Sequence, residues 1–128
     1  MAATAAEHDL VAGWHELVER HARVTGALER ALQSEHDLGV TEFEVLERLA
    51  NAADDASQRR MLELAEAVHL SQSALSRLIG RLEAEGLVER TICATDRRGI
   101  YTALTEAGRA RYEAARPTQR RVLAELLG

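Results

Sequence analysis

Apolar residues recur at steps of three and four over residues 7–33, a spacing that predicts one long amphipathic helix. The pattern ends before Gly39. Because a helix of this length cannot bury its whole apolar stripe inside a chain of 128 residues, we expect part of the stripe to pair with another chain. The stripe consists of Leu10, Val11, Trp14, Leu17, Val18, His21, Val24, Leu28, Ala31 and Leu32.

A second helix is predicted after this break. Thr41, followed by Glu44 three positions later, has the form of a capping box, so the helix should begin at that threonine. Residues 51–58 are polar and acidic and are typical of a loop. The predicted inner face of the helix consists of Phe43, Leu46, Leu49 and Ala50.

The middle of the chain has the signals of a helix-turn-helix. A turn is predicted at residues 69–71, where Ser71 can cap a helix over residues 72–85. Gly86 follows in the position expected of a C′ glycine. The short helix before the turn is marked by Leu62, Ala65 and Val68.

A β-hairpin is predicted next. Residues 87–92 and 100–104 have strand composition, and the connection at 93–99 is polar and contains a glycine. Two adjacent strands joined by such a connection are typical of a hairpin.

The chain should end in two helices. Thr105 is placed to cap a helix that runs to about residue 116, and Pro117 should interrupt it before a last short helix ending at Leu127. The predicted fold class is therefore mostly α with a small β-hairpin wing (α+β), a winged helix-turn-helix with helices at both ends.

Composition is that of one domain with an aliphatic core. Apolar residues make up 46% of the chain and aromatic residues 3%. No apolar run approaches the ~18 residues of a membrane span, and no basic, apolar leader is present, so the protein should lie in the cytoplasm. The single cysteine, Cys93, excludes an internal disulfide and a multi-cysteine zinc site.

No metal, cofactor or catalytic site is expected. The five histidines have no His-x-x-x-His spacing. Nothing in the sequence has the pattern of a nucleophile with its base, a phosphate-binding loop or a cofactor fingerprint, so an enzyme is not predicted.

The net charge of −5 hides an uneven distribution. Residues 1–58 contain 12 acidic residues and 4 arginines, whereas residues 59–128 contain 9 acidic residues and 12 arginines, a balance of −8 against +3. All 16 basic residues are arginine, whose planar fork binds phosphates and base edges. The second half of the chain therefore carries the groups that suit a polyanionic partner.

The helix over residues 72–85 has a polar face that suits DNA. An arginine can donate two hydrogen bonds to guanine, a glutamine pairs with adenine, and serines reach phosphates or bases without steric bulk. A helix of this kind after a tight turn is typical of a recognition helix in the major groove. The alternative is that this polar face is simply exposed to solvent and has no binding role. The polar face consists of Gln72, Ser73, Ser76, Arg77, Gly80 and Arg81, opposite an apolar stripe of Ala74, Leu75, Leu78, Ile79 and Leu82.

The predicted hairpin tip carries Asp96, Arg97 and Arg98. Arginines at the end of a projecting hairpin can reach a minor groove, where a narrow A·T-rich stretch concentrates negative potential. Asp96 is placed to orient an arginine fork through a charge-assisted pair. The alternative is that the tip is an ordinary polar turn whose charged residues only keep it soluble.

Taken together, these segments resemble the MarR family of winged helix-turn-helix transcription regulators. The family's wing signature is Asp-x-Arg, a variable stretch, Leu-Thr, two further residues and Gly. Its fixed positions all match here, at Asp96, Arg98, Leu104, Thr105 and Gly108. Residues 64–90 are similar to the family's helix-turn-helix and first wing strand, and the resemblance covers roughly residues 10–116.

The resemblance implies a single domain over residues 1–128 that forms a homodimer. Dimerisation helices are expected at about 7–36 and 105–128, and the winged helix-turn-helix DNA-binding region at about 41–104. It further implies a sequence-specific regulator, a repressor released from a palindromic double-stranded DNA operator by a small-molecule ligand.

By position, the resemblance also assigns residues to the DNA. The groups expected at the major groove are Ser71, Gln72, Ser73, Ser76, Arg77 and Arg81. Arg98, oriented by Asp96, is expected in the minor groove, and Arg90 and Arg97 near phosphates.

A ligand site and two other functions stay open. Members of the family often bind a small anionic aromatic compound, for which the candidate contacts here are Trp14, His15, His21 and Arg23; the alternative is that these are interface or solvated residues. One other function is that of a winged-helix module that binds protein. The second is a redox-responsive regulator acting through Cys93, whose neighbouring arginines favour a reactive thiolate.

Overall fold

Helices dominate the fold, and the predicted fold class is confirmed. The computed structural model describes residues 4–52, 58–92 and 100–128. In chain order the elements are α1 (Ala5–His36), α2 (Val40–Ala50), β1 (Gln58–Arg60), α3 (Met61–Ala67), α4 (Gln72–Ala84), β2 (Val88–Ile92), β3 (Ile100–Leu104) and α5 (Glu106–Leu127). Within those described ranges, no helix has the length and apolar character that crossing a membrane requires.

Helix α1 is longer than the apolar pattern predicts because both of its ends are capped. Thr4 Oγ1 accepts a hydrogen bond from the amide of Glu7 at 3.1 Å, and the Thr4 amide donates to the Glu7 carboxylate at 3.0 Å. At the other end Asp37 adopts a left-handed conformation with φ 54°, and its amide donates to the Gln33 carbonyl at 3.1 Å.

The predicted capping box of α2 is wrong. The helix begins at Val40, and Gly39 is its N-cap. The Gly39 amide donates to the Glu42 carboxylate at 2.8 Å, and the Val40 amide donates to Glu29 on α1 at 3.1 Å. Two carboxylates thus bind amides at the start of the helix, one of them from the preceding helix, eleven positions earlier, and the Thr41 hydroxyl is not needed as a cap.

The sheet has one strand more than the predicted hairpin. Strands β2 and β3 pair antiparallel from Val88 opposite Leu104 to Ile92 opposite Ile100, as predicted. Strand β1 also pairs with β3, so the order is β1-β3-β2. The predicted loop over residues 51–58 includes Gln58, the first residue of this strand, and no strand is predicted for the next two residues. Their pairing partners lie more than forty positions away.

Pro117 does not interrupt the last helix, and the prediction of two helices there is wrong. Helix α5 runs without a break from Glu106 to Leu127. A proline inside a helix costs about 3 kcal/mol because its ring clashes with the preceding turn and it has no N–H to donate. Burial of Tyr112 and Ala115 before the proline, and of Thr118 and Val122 after it, holds both halves against the rest of the protein and offsets this cost.

One apolar core joins α2, α3 and α4 to the sheet, to the end of α1 and to α5. It is aliphatic apart from two rings, Phe43 and Tyr112, whose centroids lie 5.5 Å apart. Its fully buried members include Leu32, Leu38, Val45, Leu46, Leu49, Leu64, Leu75, Ile79, Leu82, Leu87 and Val88.

The first half of α1 lies outside this core. Only Leu28 and Leu32 of the helix are buried, near its C-terminal end. Five large apolar side chains before them are exposed, and Trp14 retains 63% of its surface. We call these residues the α1 stripe: Leu10, Val11, Trp14, Leu17 and Val18.

Candidate nucleic-acid interface

Helix α4 begins at a capped turn. The Leu70 amide donates to the Ala65 carbonyl at 3.0 Å, and His69 takes a left-handed conformation with φ 58°. Ser71 Oγ then accepts from the Ala74 amide at 3.2 Å, which makes this serine the N-cap. The predicted helix-turn-helix and its serine cap are therefore confirmed.

The end of α4 also follows the sequence pattern. Gly86 has φ 77°, a conformation that favours glycine, and comes directly after the C-cap residue Glu85. Between its two ends the helix buries Leu75, Leu78, Ile79 and Leu82. Burial of this stripe fixes which face of α4 points to solvent.

The residues predicted to contact DNA lie on the outward side of α4. Ser71, Gln72, Ser73, Arg77 and Arg81 are exposed, and Ser76 is half-buried. Hydroxyl, amide and guanidinium groups are therefore presented on one side of the helix, with the serines and Gln72 at its positive end and Arg81 in its last turn. Such a surface can hydrogen-bond to base edges and to phosphates, because each of these groups can donate a hydrogen bond.

Arg90, predicted near phosphates, is engaged within the chain. Its Nη2 donates to the Ser76 carbonyl on α4 at 3.0 Å, and its Nε lies 3.8 Å from a carboxylate oxygen of Glu83. The Arg90 amide donates to the other oxygen of that carboxylate at 3.3 Å. Sequence reasoning had no signal for this arrangement, because strand β2 and helix α4 meet only in the folded chain.

The predicted wing tip lies outside the described residues. This applies to Asp96, Arg97 and Arg98, and equally to Cys93, so their assigned roles stay predictions. The strand ends on either side are described, and the backbone of Ile92 pairs with that of Ile100.

The predicted ligand residues lie along α1, and their proposed role stays a prediction. Trp14, His15, His21 and Arg23 are all exposed. His21 Nε2 lies 3.4 Å from the hydroxyl of Thr25, one turn further along. Of the four, only Arg23 lines a groove of about 590 Å³, which the first half of α1 forms with Leu126 of α5.

A larger groove, which sequence reasoning missed, lies between α1, α2 and α4. Its volume is about 830 Å³. Arg77 and Arg81 of α4 line one side, and Glu29 and Gln33 of α1 line the other. Two arginines predicted to contact DNA therefore also face a cavity. No spacing in the sequence predicts the groove, because its walls come from three separate helices.

Groups with shifted pKa values among the described residues lie away from this face. The hydrogen bond from Arg121 is the main cause that lowers the pKa of Glu35, and burial raises the pKa of Tyr112, with the Glu47 carboxylate adding to the rise. Across the part of the chain that the structure describes, no three His, Cys, Asp or Glu side chains are placed to hold a metal ion.

A sequence model described as the MarR family matches residues 36–99. The chain is also similar to AbsC, a MarR family transcriptional regulator from Streptomyces coelicolor, with 30% identity and a TM-score of 0.86. The match covers 98% of this chain and 80% of that one.

Two further solved structures were determined with a bound partner. Sco3205, a MarR family transcriptional regulator from Streptomyces coelicolor in complex with DNA, is 28% identical with a TM-score of 0.86, over 98% of this chain and 76% of that one. CouR from Rhodococcus jostii RHA1, bound to p-coumaroyl-CoA, is 28% identical with a TM-score of 0.76, over 85% of this chain and 73% of that one.

Proposed function

The chain belongs to the MarR family of transcriptional regulators and is not an enzyme, and from this premise we propose that it is a homodimeric repressor. In the proposal it binds a palindromic operator in double-stranded DNA and leaves it when a small anionic aromatic ligand binds. It acts in the cytoplasm, where the operator is accessible.

The observation that carries the proposal is the outward face of α4. Arg77 and Arg81 are exposed on a helix whose opposite side is locked into the core by Leu75, Ile79 and Leu82. A fixed helix with free donors on its outer side can enter a major groove without rearrangement. The structural similarity to a regulator solved in complex with DNA supports the same reading.

The α1 stripe supports a homodimer. A row of large apolar side chains on one helix face is unusual for a monomer, and it marks an association surface. Leu127 of α5 is also exposed, and its neighbour Leu126 lines a groove with Leu17, so the apolar surface continues from α1 onto the end of α5. We propose that α1 and α5 of two subunits pair through this surface.

Such a dimer accounts for a palindromic operator. Two-fold symmetry presents two copies of α4, and two recognition helices that read successive major grooves lie about 34 Å apart, one turn of DNA. The wing arginine Arg98, oriented by Asp96, is proposed to enter the flanking minor groove, while Arg97 contacts a phosphate.

Ligand release is proposed to act through the spacing of the two recognition helices. A ligand that binds more tightly to a dimer whose recognition helices are spaced wrongly for DNA shifts the equilibrium toward that conformation. We propose the groove beside Arg77 and Arg81 as the ligand site: its two guanidinium groups would pair with the anionic group of the ligand, on the wall opposite the carboxylate of Glu29. Binding of such a ligand there would also occupy arginines that the operator needs.

Selection of bound duplexes from random DNA tests the proposal directly. We expect an inverted repeat with half-sites about one helical turn apart, and a binding constant that falls steeply with salt as phosphate contacts release counterions. Sedimentation should give the mass of two chains for the free protein, and the mass of two chains plus the duplex for the complex. A protein that retards no duplex at low salt would favour the protein-binding winged helix instead.

Two titrations separate ligand control from redox control. A phenolic acid that dissociates the complex, with no effect of oxidant, supports the proposed release mechanism. Dissociation by oxidant that is abolished by Cys93→Ser would instead support a redox-responsive regulator.

A further inference from the structure

Arg90 occupies a strand position that faces helix α4. Side chains alternate along a strand, so Arg90 shares a face of β2 with Val88, which is buried, while Glu89 between them is exposed. Its backbone partner on β3, Thr102, is fully buried. Arg90 itself keeps 37% of its side-chain surface exposed, so an arginine stands at the solvent edge of this inward-facing row, against α4.

The side chain uses this position to hold α4 at two points. Nη2 donates to the Ser76 carbonyl at 3.0 Å, and Glu83, seven residues further along the helix, faces both Nε and the Arg90 amide. Seven residues are two helical turns, so both partners lie on one face of α4. The guanidinium thus makes one hydrogen bond, to Ser76, and one ion pair, with Glu83, across this face of the helix.

Gly80 leaves the helix surface open between these two partners. A Cβ at this position would lie 3.8 Å from Arg90 Nη2, in ordinary van der Waals contact. The sequence of α4 therefore leaves room for Arg90 to lie across the helix.

We propose that Arg90 is a positioning residue that fixes the recognition helix to the wing strand, and that its guanidinium acts within the subunit and not on a DNA phosphate. The proposal rests on the proposed DNA-binding function. Helix and wing must enter neighbouring grooves in one fixed relation, and Arg90 with Glu83 sets that relation. Loss of the contact should therefore reduce discrimination between sequences and leave general affinity for DNA in place.

Glu83→Gln compared with Glu85→Gln distinguishes a positioning role from a simple change of charge. Each variant removes one exposed negative charge from the same end of α4, so electrostatics alone would raise affinity for every duplex. The measured quantity is the ratio of affinity for the selected operator to affinity for an unrelated duplex at one salt concentration. We expect Glu83→Gln to lower this ratio about three- to tenfold and Glu85→Gln to leave it unchanged.

Arg90→Ala separates positioning from a phosphate contact. We expect the same fall in the ratio with the salt dependence unchanged, and no further fall when Arg90→Ala and Glu83→Gln are combined. If the salt slope instead decreases by about 0.9 and the ratio is kept, Arg90 contacts a phosphate and the proposal is overturned.

A measurement without DNA keeps the proposal independent of the proposed function. Hydrogen exchange at the Gly80 amide, whose helical acceptor is the Ser76 carbonyl, should be faster in Arg90→Ala and Glu83→Gln than in wild type, and unchanged in Glu85→Gln. If the wild-type protein selects no DNA sequence, the proposed function fails, but the exchange measurement still shows whether Arg90 holds α4 in position. Equal exchange in all four proteins would overturn the positioning role.

Discussion

Gly108, in the first turn of α5, packs directly against the backbone carbonyl of Leu87. A Cβ on Gly108 would overlap the Leu87 oxygen and would lie 2.8 Å from a methyl carbon of Leu104. Thr105, the cap of α5, holds the same junction through its amide, which donates to the Leu87 carbonyl at 3.2 Å, and its hydroxyl, which donates to the Gly86 carbonyl at 2.7 Å. The Leu-Thr-x-x-Gly part of the wing signature thus joins the last helix to the two residues just before β2, the first wing strand.

Gly108→Ala should destabilise the protein by about 1–3 kcal/mol, because backbone must move to admit the methyl group. Denaturant unfolding monitored by circular dichroism measures the change. Gly26→Ala is the matched control, since a Cβ there would meet only the end of the flexible Arg30 side chain, at 3.3 Å. Equal stability of the two variants would show that the α5 junction is not tightly packed.

Arg77→Ala should relax base preference at one operator position, at a cost of about 1–3 kcal/mol in discrimination. Arg77 is exposed near the start of α4, where a guanidinium can bind guanine with two hydrogen bonds. Selection from random DNA gives the preference of each variant. Arg77→Lys keeps the charge without the fork and should lose the preference as well, whereas an unaltered sequence profile in both variants would exclude a base contact.

Arg98→Ala should weaken binding most on operators with A·T-rich flanks, because a narrow minor groove concentrates the negative potential that attracts an arginine. Titration of duplexes that share half-sites and differ only in the flanks measures the effect. The loss should be smaller on G·C-rich flanks. Unchanged affinity for the A·T-rich duplex would mean that the wing does not reach the minor groove.

Trp14→Glu should separate the two subunits. Trp14 is 63% exposed in one chain, and burial of a carboxylate in a paired apolar stripe should cost about 2 kcal/mol or more, roughly a thirtyfold rise in the dimer dissociation constant. Sedimentation equilibrium measures this constant. Leu62→Glu, at a leucine that is 53% exposed on α3, is the control and should stay dimeric. A wild-type protein that sediments as a monomer would contradict the prediction from the start.

Tyr112→Phe should remove about 1 kcal/mol of stability near neutral pH, because the Tyr112 hydroxyl donates to Glu47 at 3.1 Å. Burial, with Glu47, raises the pKa of Tyr112 above its ordinary value of 10.0. The stability that this raised pKa contributes is therefore fully present below the pKa of the unfolded state. It is lost as the pH rises through the pKa of the folded state. In thermal unfolding, the melting temperature should fall more steeply with increasing alkaline pH in wild type than in Tyr112→Phe. Parallel curves of melting temperature against pH would refute the pKa shift.

Sequence by itself determined the features that depend on neighbouring residues. Ser71 caps α4 and Gly86 follows its end because each acts on backbone groups within a few positions, which a local pattern records. The buried stripe of α4 follows from periodicity, and the two hairpin strands follow from local strand composition, for the same reason. The outward position of Arg77 was predictable as soon as the opposite face was assigned to the core.

Tertiary structure alone decided the features whose partners are distant in the chain. Glu29 helps to start α2, β1 is a strand only because β3 lies beside it, and α5 continues through Pro117 because packing on both sides outweighs a local penalty. Arg90 is a further case, since the family resemblance assigned it a place near a phosphate, and only the fold brings its guanidinium to the Ser76 carbonyl. The physical reason is that helix caps and periodicity act over a few residues, whereas burial and cross-chain hydrogen bonds depend on groups that only folding brings together.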